Sequence, residues 1–424
     1  MPRFSVAPEK ASATEYHNYV VVQRDSLAMG VVNASVPFLP VFVARLGGSD
    51  VEVGLLSALP ALAGLLFAIP AAVYLRRQRR VVPVYSRARL IASLGYVATA
   101  IATVVVPGPW VVPAILAIWA VASVPSTIGM VAFAVVMDGA AGPRGRFDLL
   151  SRRWSIMGLT TAISVVIIGQ LLDVIGFPVN YQLVFAAFSV AGLASFHFSR
   201  KIRLQEEEPP PQATGPVGER FRATLAGVTR EPRFVGFVVR HLVYATGLRF
   251  VAPLIPLYYV REVRFSDGWI GLIATAQSFA LLAGYIVWRR QSRVRGPRFV
   301  LLAATAVAAA YPGTLAFARV EPVVIVVVAL GSLFAAGTDL ALFDELMRTI
   351  PKGQGLTFAA IDQSAMNAAG IAAPLLGTLL AGVIGIPNAL VVGSALSLAG
   401  FVLFALDRPR LSARRPAPSA DRPG

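Results

Sequence analysis

The sequence contains no cysteine and only three histidines, and both shortages exclude kinds of chemistry. Without thiols the chain has no disulfide framework and no thiolate nucleophile. The histidines, His17, His197 and His241, lie far apart in the sequence and do not have the spacing of a metal-ligand set. We therefore expect no metal and no other cofactor. Because no nucleophile motif or phosphate-binding loop is evident either, we do not expect an enzyme.

Charged residues are scarce as well. They make up 14% of the 424 residues, whereas soluble proteins carry about 25%. Hydrophobic residues make up 56%, and the mean hydropathy is +0.68. A soluble core cannot hide this much apolar surface, so the composition predicts an all-α protein whose solvent is lipid.

Twelve apolar segments are long enough to cross a membrane, which takes about 20 residues. We number them spans 1 to 12 in chain order. The predicted boundaries are 18–44, 51–75, 84–106, 111–137, 154–173, 179–199, 234–260, 268–288, 298–318, 322–344, 356–383 and 386–406.

Lysine is nearly absent, so the net charge of +16 comes mostly from arginine. Of the 38 basic residues, 31 fall in the two tails, in the loops after even-numbered spans or at the span ends next to those loops, and four fall in the opposite loops. This asymmetry predicts that both termini are cytoplasmic in a cell membrane, the inner one in a cell that has two. The basic residues then meet anionic lipid headgroups, and we expect no nucleic-acid partner.

The chain repeats itself after 216 residues. Four pairs share this spacing: Arg24 with Arg240, Pro37 with Pro253, Pro40 with Pro256, and Arg45 with Arg261. After one inserted residue, Asp50 and Gly54 match Asp267 and Gly271. Such self-similarity over half a chain indicates a duplicated six-span unit.

The repeat divides the chain into two bundles. We expect an N-terminal six-helix bundle over residues 18–199 and a C-terminal one over 234–406. The intervening residues 200–233 contain a run of three prolines that no helix crosses, so we expect a cytoplasmic linker there. Residues 1–17 and 407–424 are polar or basic, and we expect both to be cytoplasmic tails, the second disordered.

Twelve spans in two homologous sets of six, joined by a long middle loop, resemble the major facilitator superfamily. The loop after span 2 resembles the family pattern G-x-x-x-D-R-x-G-R-R, because AAVYLRRQRR at residues 71–80 keeps three of its arginines. The corresponding GYIVWRRQSR at residues 284–293 keeps two. The matching arginines are Arg76, Arg79, Arg80, Arg289 and Arg293. The aspartate of the pattern is absent from both copies, where Leu75 and Trp288 stand.

The resemblance implies a monomeric secondary transporter that moves a small solute by alternating access. It names neither the substrate nor the coupling ion, for which protons are one option. A transporter-like receptor or scaffold without flux is the alternative, although the short loops and the lack of an added domain argue against it.

Arg249 is the most unusual charged residue, because it lies within about two residues of the middle of span 7. An ionisable group at that depth is costly and indicates function. The repeat places Asn33 at the equivalent position, and residue counting finds no carboxylate at this depth. Arg249 therefore either binds an anionic group of the substrate or ties helices together. Other residues that can line the same cavity are Thr246, Gln277 and Asn367.

Several charged residues occupy a second layer, roughly 10 Å from the midplane on the cytoplasmic side by residue counting. They are Arg24, Asp25, Arg240, His241, Asp339 and Asp362. One interpretation is a cytoplasmic gate whose ion pairs break during rocking and whose carboxylates carry coupled protons. The other is a set of static pairs, or side chains that extend to the headgroups.

Overall fold

The structure is a computed structural model that describes residues 12–204, 230–350 and 355–407, without the side chains of residues 69, 76, 134, 138, 142–148, 151, 355–357 and 359–360. Most of the predicted linker and of both predicted tails lies outside the described residues. Within them, the twelve predicted spans are confirmed as helices long and apolar enough to cross a membrane.

The helices begin and end where the sequence gives capping signals. Ser49 caps the helix of span 2 in a reciprocal capping box with Glu52, and Ser266 caps the helix of span 8. Gly296 and Gly385, both with positive φ, stand between spans 8 and 9 and between spans 11 and 12. A backbone with positive φ favours glycine, which has no Cβ. At these two positions that conformation lets the chain reverse within one or two residues.

The helices match the predicted spans except at three places. Spans 2, 3 and 6 are Asp50–Arg76, Val81–Val105 and Val179–Ser199, and spans 8 to 12 are Asp267–Arg295, Pro297–Leu315, Glu321–Thr349, Gly355–Ile384 and Ile386–Leu406. Spans 4 and 5 lie in one unbroken run of helical backbone, Val111–Val174, where the sequence analysis expected a loop. Span 1 is broken into Ala13–Asn33 and Phe38–Arg45, and span 7 into Pro232–Val251, Leu254–Leu257 and the π-helical Tyr258–Glu262.

The breaks in spans 1 and 7 are equivalent. Pro37 precedes the second helix of span 1, and its repeat equivalent Pro253 precedes the second helix of span 7. Proline lacks the amide hydrogen that an unbroken helix needs, so the same residue interrupts both copies at the same place. The duplication seen in the sequence is thus a duplication of local structure.

The two six-helix bundles meet along two seams. Span 2 packs on span 11, and span 5 packs on span 8. Each seam has a close crossing that excludes a larger side chain: a Cβ on Gly54 would lie 2.9 Å from the Thr378 hydroxyl, and one on Gly169 would lie 3.0 Å from the Gly271 Cα. Gly54 and Gly271 are repeat equivalents, so the two crossings are related by the same pseudo-symmetry.

The hydrophobic core shows which end of the molecule is closed. We call the end that holds both termini the terminal end, and the opposite one, with Gly48 and Arg264, the distal end. At the distal end one cluster joins the bundles and includes Phe42 of span 1 and Tyr258 of span 7. At the terminal end the clusters remain within one bundle each, around Tyr85 and around Trp288. The bundles are therefore packed together at the distal end.

Candidate functional site

Span 7 presents different faces to its two surroundings. One face packs tightly on span 12, where Ser397 lies against Gly247 and Gly400 lies against the backbone of Tyr244. The other face carries Leu242, Ala245, Thr246 and Arg249, all of them partly exposed. This face of span 7, which carries the predicted site residues Thr246 and Arg249, is therefore accessible rather than buried.

The Arg249 guanidinium lies between the two bundles. A Cβ on Gly370 of span 11 would stand 2.9 Å from its Nη1, and the same Cβ would stand 2.9 Å from Ala61 of span 2. The absence of a side chain at residue 370 thus gives the guanidinium room beside the seam of spans 2 and 11. None of the described residues forms a hydrogen bond or an ion pair with Arg249.

Amide side chains lie on the same helix as Gly370. Asn367 is one turn away and also contacts the other bundle. Its amide lies against Gly64 of span 2, where an added Cβ would stand 3.1 Å from Asn367 Nδ2. The Gln363 amide donates to Asn367 Oδ1 at 3.2 Å. Span 11 therefore presents an amide at Asn367 and, one turn further on, the space at Gly370 that the Arg249 guanidinium occupies.

The remaining predicted cavity residues have local partners or none among the described residues. Asn33 donates to the Met157 sulfur at 3.4 Å and is not hydrogen-bonded to Arg249. The Thr246 hydroxyl donates to the carbonyl of Leu242 at 2.7 Å, and Gln277 is exposed. Their proposed roles on a substrate stay predictions.

Asp25 lies at the centre of a buried ion cluster within the N-terminal bundle. Arg89 of span 3 donates to both of its carboxylate oxygens, at 3.0 and 3.1 Å, and Arg153 donates to Oδ2 at 2.7 Å. The Ser195 hydroxyl adds a bond of 2.6 Å to Oδ1. Four spans, 1, 3, 5 and 6, are therefore held together by one carboxylate.

The C-terminal bundle has an equivalent pair with the charges exchanged. His241 Nδ1 lies 3.0 Å from Asp362 Oδ1. His241 is the repeat equivalent of Asp25, 216 residues on, and Asp362 is that of Arg153, at the 209-residue spacing of Gly176 and Gly385. Where the first bundle has a carboxylate on span 1 and an arginine on span 5, the second has a histidine on span 7 and a carboxylate on span 11.

Three other residues of the predicted gate have separate surroundings. Arg240 forms an ion pair of 2.8 Å with Asp407 at the end of span 12 and lies over the Phe404 ring. Asp339 is exposed and accepts a hydrogen bond of 3.0 Å from the Tyr285 hydroxyl. Arg24 is exposed and has no ion pair with any described residue. The ion pairs that the gate residues form each lie within one bundle, as static pairs would, so the predicted gate role stays a prediction.

The arginines of the loop motif mark the terminal end of the bundles. Arg79, Arg80, Arg289 and Arg293 are exposed, and Arg80 also interacts with another part of the protein. The side chain of Arg76 lies outside the described residues. Trp288, at the aspartate position of the second copy, is buried against Gly337, and its indole donates to the Leu333 carbonyl at 2.8 Å. Helix packing thus occupies the place where the family pattern has a carboxylate.

Two ion pairs across the distal end were not foreseen from the sequence. Arg45 binds Asp267 at 2.8 Å, and Arg261 binds Asp50. Each pair joins one bundle to the other, and the repeat converts the first pair into the second. We call these two pairs the distal clamp. The Tyr181 hydroxyl also donates to Asp267, at 2.9 Å.

Arg89 and Arg153 were missed as well, and their sequence positions explain why. Arg89 is the sixth residue of predicted span 3, and Arg153 directly precedes predicted span 5, so both were assigned to the basic loops. For Arg153, the repeat was the available signal, since its equivalent Asp362 was already a site candidate.

Two six-helix bundles, joined by pseudo-symmetric contacts and enclosing an arginine at their seam, define a multi-pass membrane protein of the two-bundle transporter fold. The sequence model of the Major Facilitator Superfamily matches residues 237–423. The C-terminal bundle is thus similar in sequence to this superfamily. No curated protein matches the chain significantly by sequence.

Solved structures share the fold along nearly the whole chain. The nucleoside transporter NupG aligns with a TM-score of 0.69 at 9% identity, covering 92% of this chain and 99% of that one. A bacterial homologue of the iron transporter ferroportin, in an inward-facing state, aligns at 0.69 and 16%, covering 92% and 98%. A D-xylose–proton symporter aligns at 0.69 and 14%, covering 92% and 97%. At these identities the likeness establishes the fold and not the substrate.

Proposed function

We propose that the protein is a secondary active transporter that binds a small anionic solute at Arg249 and moves it by alternating access. The observation that carries this proposal is a permanently charged guanidinium near the midplane with no described counter-charge. A charge held at that depth in a membrane needs a compensating group. A carboxylate or phosphate on the solute supplies it when the site is filled.

Asn367 and Gly370 support the same role. Gly370 leaves room for the guanidinium, and Asn367, which faces span 2, offers a donor and an acceptor one turn away. A substrate held by these groups contacts both bundles. Contact with both bundles is what allows a ligand to couple its binding to their relative movement.

The packing and the charge distribution together suggest the conformation. The predicted orientation puts the terminal end in the cytoplasm of the cell, so the distal clamp closes the external side. We infer an inward-facing state, in which the substrate enters or leaves through the cytoplasmic end. The structural neighbour in an inward-facing state agrees with this inference.

We assign proton coupling to His241 and Asp362. Asp25 is fully buried between two arginines, and protonating it would leave both guanidiniums without their counter-charge. The His241–Asp362 pair combines two groups that can exchange a proton, and histidine is the side chain best suited to change charge near neutral pH. The fold shared with a proton symporter is compatible with this assignment.

A ligand screen on the purified protein tests the proposal. We expect a panel of carboxylates and phosphate esters to contain a compound that raises the melting temperature of the wild-type protein and has no effect on Arg249→Ala. A neutral solute that stabilises both proteins equally, with no effect of any anion, would reject the anionic substrate class.

A further inference from the structure

A surface groove on the N-terminal bundle has no place in the proposed transport cycle. It encloses about 360 Å³ between spans 1, 5 and 6. Its walls are apolar, and Arg24 is the charged residue that lines it. The apolar walls include Leu27, Val31, Ala191, Ala194 and Phe198. We call this the lateral groove.

The lateral groove is formed by one bundle alone, and its span 6 wall lies away from both seams between the bundles. All of its lining residues belong to one bundle, whereas a central cavity has walls from both. Asn33 follows Arg24 by nine residues, which is two and a half helical turns, so the two side chains leave span 1 on opposite faces. Leu27, beside Arg24, is 52% exposed, as expected for a side chain that faces acyl chains.

Arg24 lacks the partner that its repeat equivalent has. In the C-terminal bundle, Arg240 is neutralised by Asp407, three residues after Phe404. Span 12 is one residue shorter than span 6 in the matched stretch, so Gly192 matches Gly400 at a spacing of 208 residues. At that spacing the equivalent positions are Phe196 and Ser199, so an aromatic residue is kept and the carboxylate is lost. The guanidinium of Arg24 is exposed, and no described residue pairs with it.

We infer that the lateral groove binds an anionic glycerophospholipid, with an acyl chain along its apolar wall and the phosphate on Arg24. Residue counting puts the Arg24 backbone about 10 Å from the midplane, and the hydrocarbon region extends about 15 Å. A long arginine side chain reaches from that depth to the headgroup level. The lipid phosphate thus takes the place of the carboxylate that Asp407 provides in the other bundle.

Native mass spectrometry of the full chain in detergent, with phosphatidylglycerol or phosphatidylcholine added at equal concentration, tests this site. We expect the wild-type protein to retain more phosphatidylglycerol than phosphatidylcholine. Arg24→Gln should reduce the retained phosphatidylglycerol about fivefold, the effect of one basic side chain at a lipid surface. Arg77→Gln is the matched control, because Arg77 is also exposed at the terminal end but does not line the groove.

A second variant separates the groove from a general attraction of lipid to positive charge. Ala194→Phe fills the apolar wall and leaves every charge in place, and it should also lower phosphatidylglycerol retention. Equal retention by wild type and Arg24→Gln would overturn the proposal, whether or not Ala194→Phe folds. Equal retention of the two lipids by the wild-type protein would overturn it too.

Discussion

Arg45 and Asp267 form a 2.8 Å ion pair that joins the two bundles, and Arg261 and Asp50, their repeat equivalents, form the same pair in reverse. Both pairs are at the distal end, where the hydrophobic core is also shared. A conformation that opens this end has to break both pairs together. We therefore regard the distal clamp as the main polar lock on the closed distal end.

Neutralising the distal clamp should favour a state that is open at the distal end. Each pair is partly exposed, so it contributes at most about 1 kcal/mol, or about fivefold in the closed-to-open ratio. In the variant with Asp50→Asn and Asp267→Asn we expect the distal ends to separate more often. Because the chain has no cysteine, spin labels can be placed at single introduced cysteines, at Trp110 and Phe317, and their distance measured by electron resonance.

The same experiment has an internal check. A second variant exchanges the charges of one pair, Arg45→Asp with Asp267→Arg, and leaves the other pair intact. If the ion pair itself closes this end, this variant should show the wild-type distance distribution. A distribution that is identical in the wild-type and the doubly neutralised protein would show that apolar packing alone holds the end closed.

Asp25 should be far more important for stability than Asp339. Asp25→Asn leaves Arg89 and Arg153 buried with no full negative charge, and breaking a buried pair in this way costs about 3–5 kcal/mol. We expect a large drop in the melting temperature of the detergent-solubilised protein. Asp339→Asn is the control, because Asp339 is exposed, and it should melt near the wild-type temperature. Equal melting of all three proteins would contradict the structural role of the buried cluster.

Neutralising the pair His241–Asp362 should separate binding from coupling. We expect Asp362→Asn and His241→Gln to retain ligand binding and counterflow exchange in proteoliposomes, because neither residue contacts Arg249. Accumulation driven by a proton gradient should be lost in at least one of them. Undiminished accumulation in both variants would assign coupling to another group or to no proton at all.

Gly370→Ala should weaken substrate binding without changing any charge. The added methyl group would stand 2.9 Å from the Arg249 guanidinium and from Ala61, so the guanidinium has to move. The loss of a charge-assisted hydrogen bond then lowers affinity by about tenfold or more. Gly382→Ala, in the same helix but with open space around it, should bind ligand as the wild type does. Isothermal titration with an anionic ligand compares the two, and equal affinities would place the ligand elsewhere.

The architecture could be predicted from the sequence because it depends on local signals. Apolar length gave the spans, and the equivalence of Pro37 and Pro253 predicted two copies of one unit, which the structure confirms through equivalent helix breaks. The break between spans 4 and 5 was predicted wrongly as a loop. Its residues carry several charges, but their backbone remains helical.

The partners of the charged residues could not be predicted in the same way. The repeat identifies Arg45 with Arg261 and Asp50 with Asp267, yet it does not say that each arginine pairs with the aspartate of the other copy. That choice depends on how the bundles face each other. Arg89 was assigned to a basic loop for a simpler reason. The end of a span is predicted only to within a few residues, and the sequence does not distinguish an arginine that flanks a span from one buried inside it.

Transport by the purified protein tests the central claim most directly. Proteoliposomes containing the wild-type protein should take up the radiolabelled anion identified by thermal shift, and those containing Arg249→Ala should not. Arg249→Lys should also be impaired, because an ammonium group lacks the planar pair of donors that fits a carboxylate. Uptake by Arg249→Ala with wild-type affinity would show that Arg249 only ties helices together. Tight ligand binding by the wild-type protein with no uptake, with or without a proton gradient, would contradict the account and indicate a receptor instead.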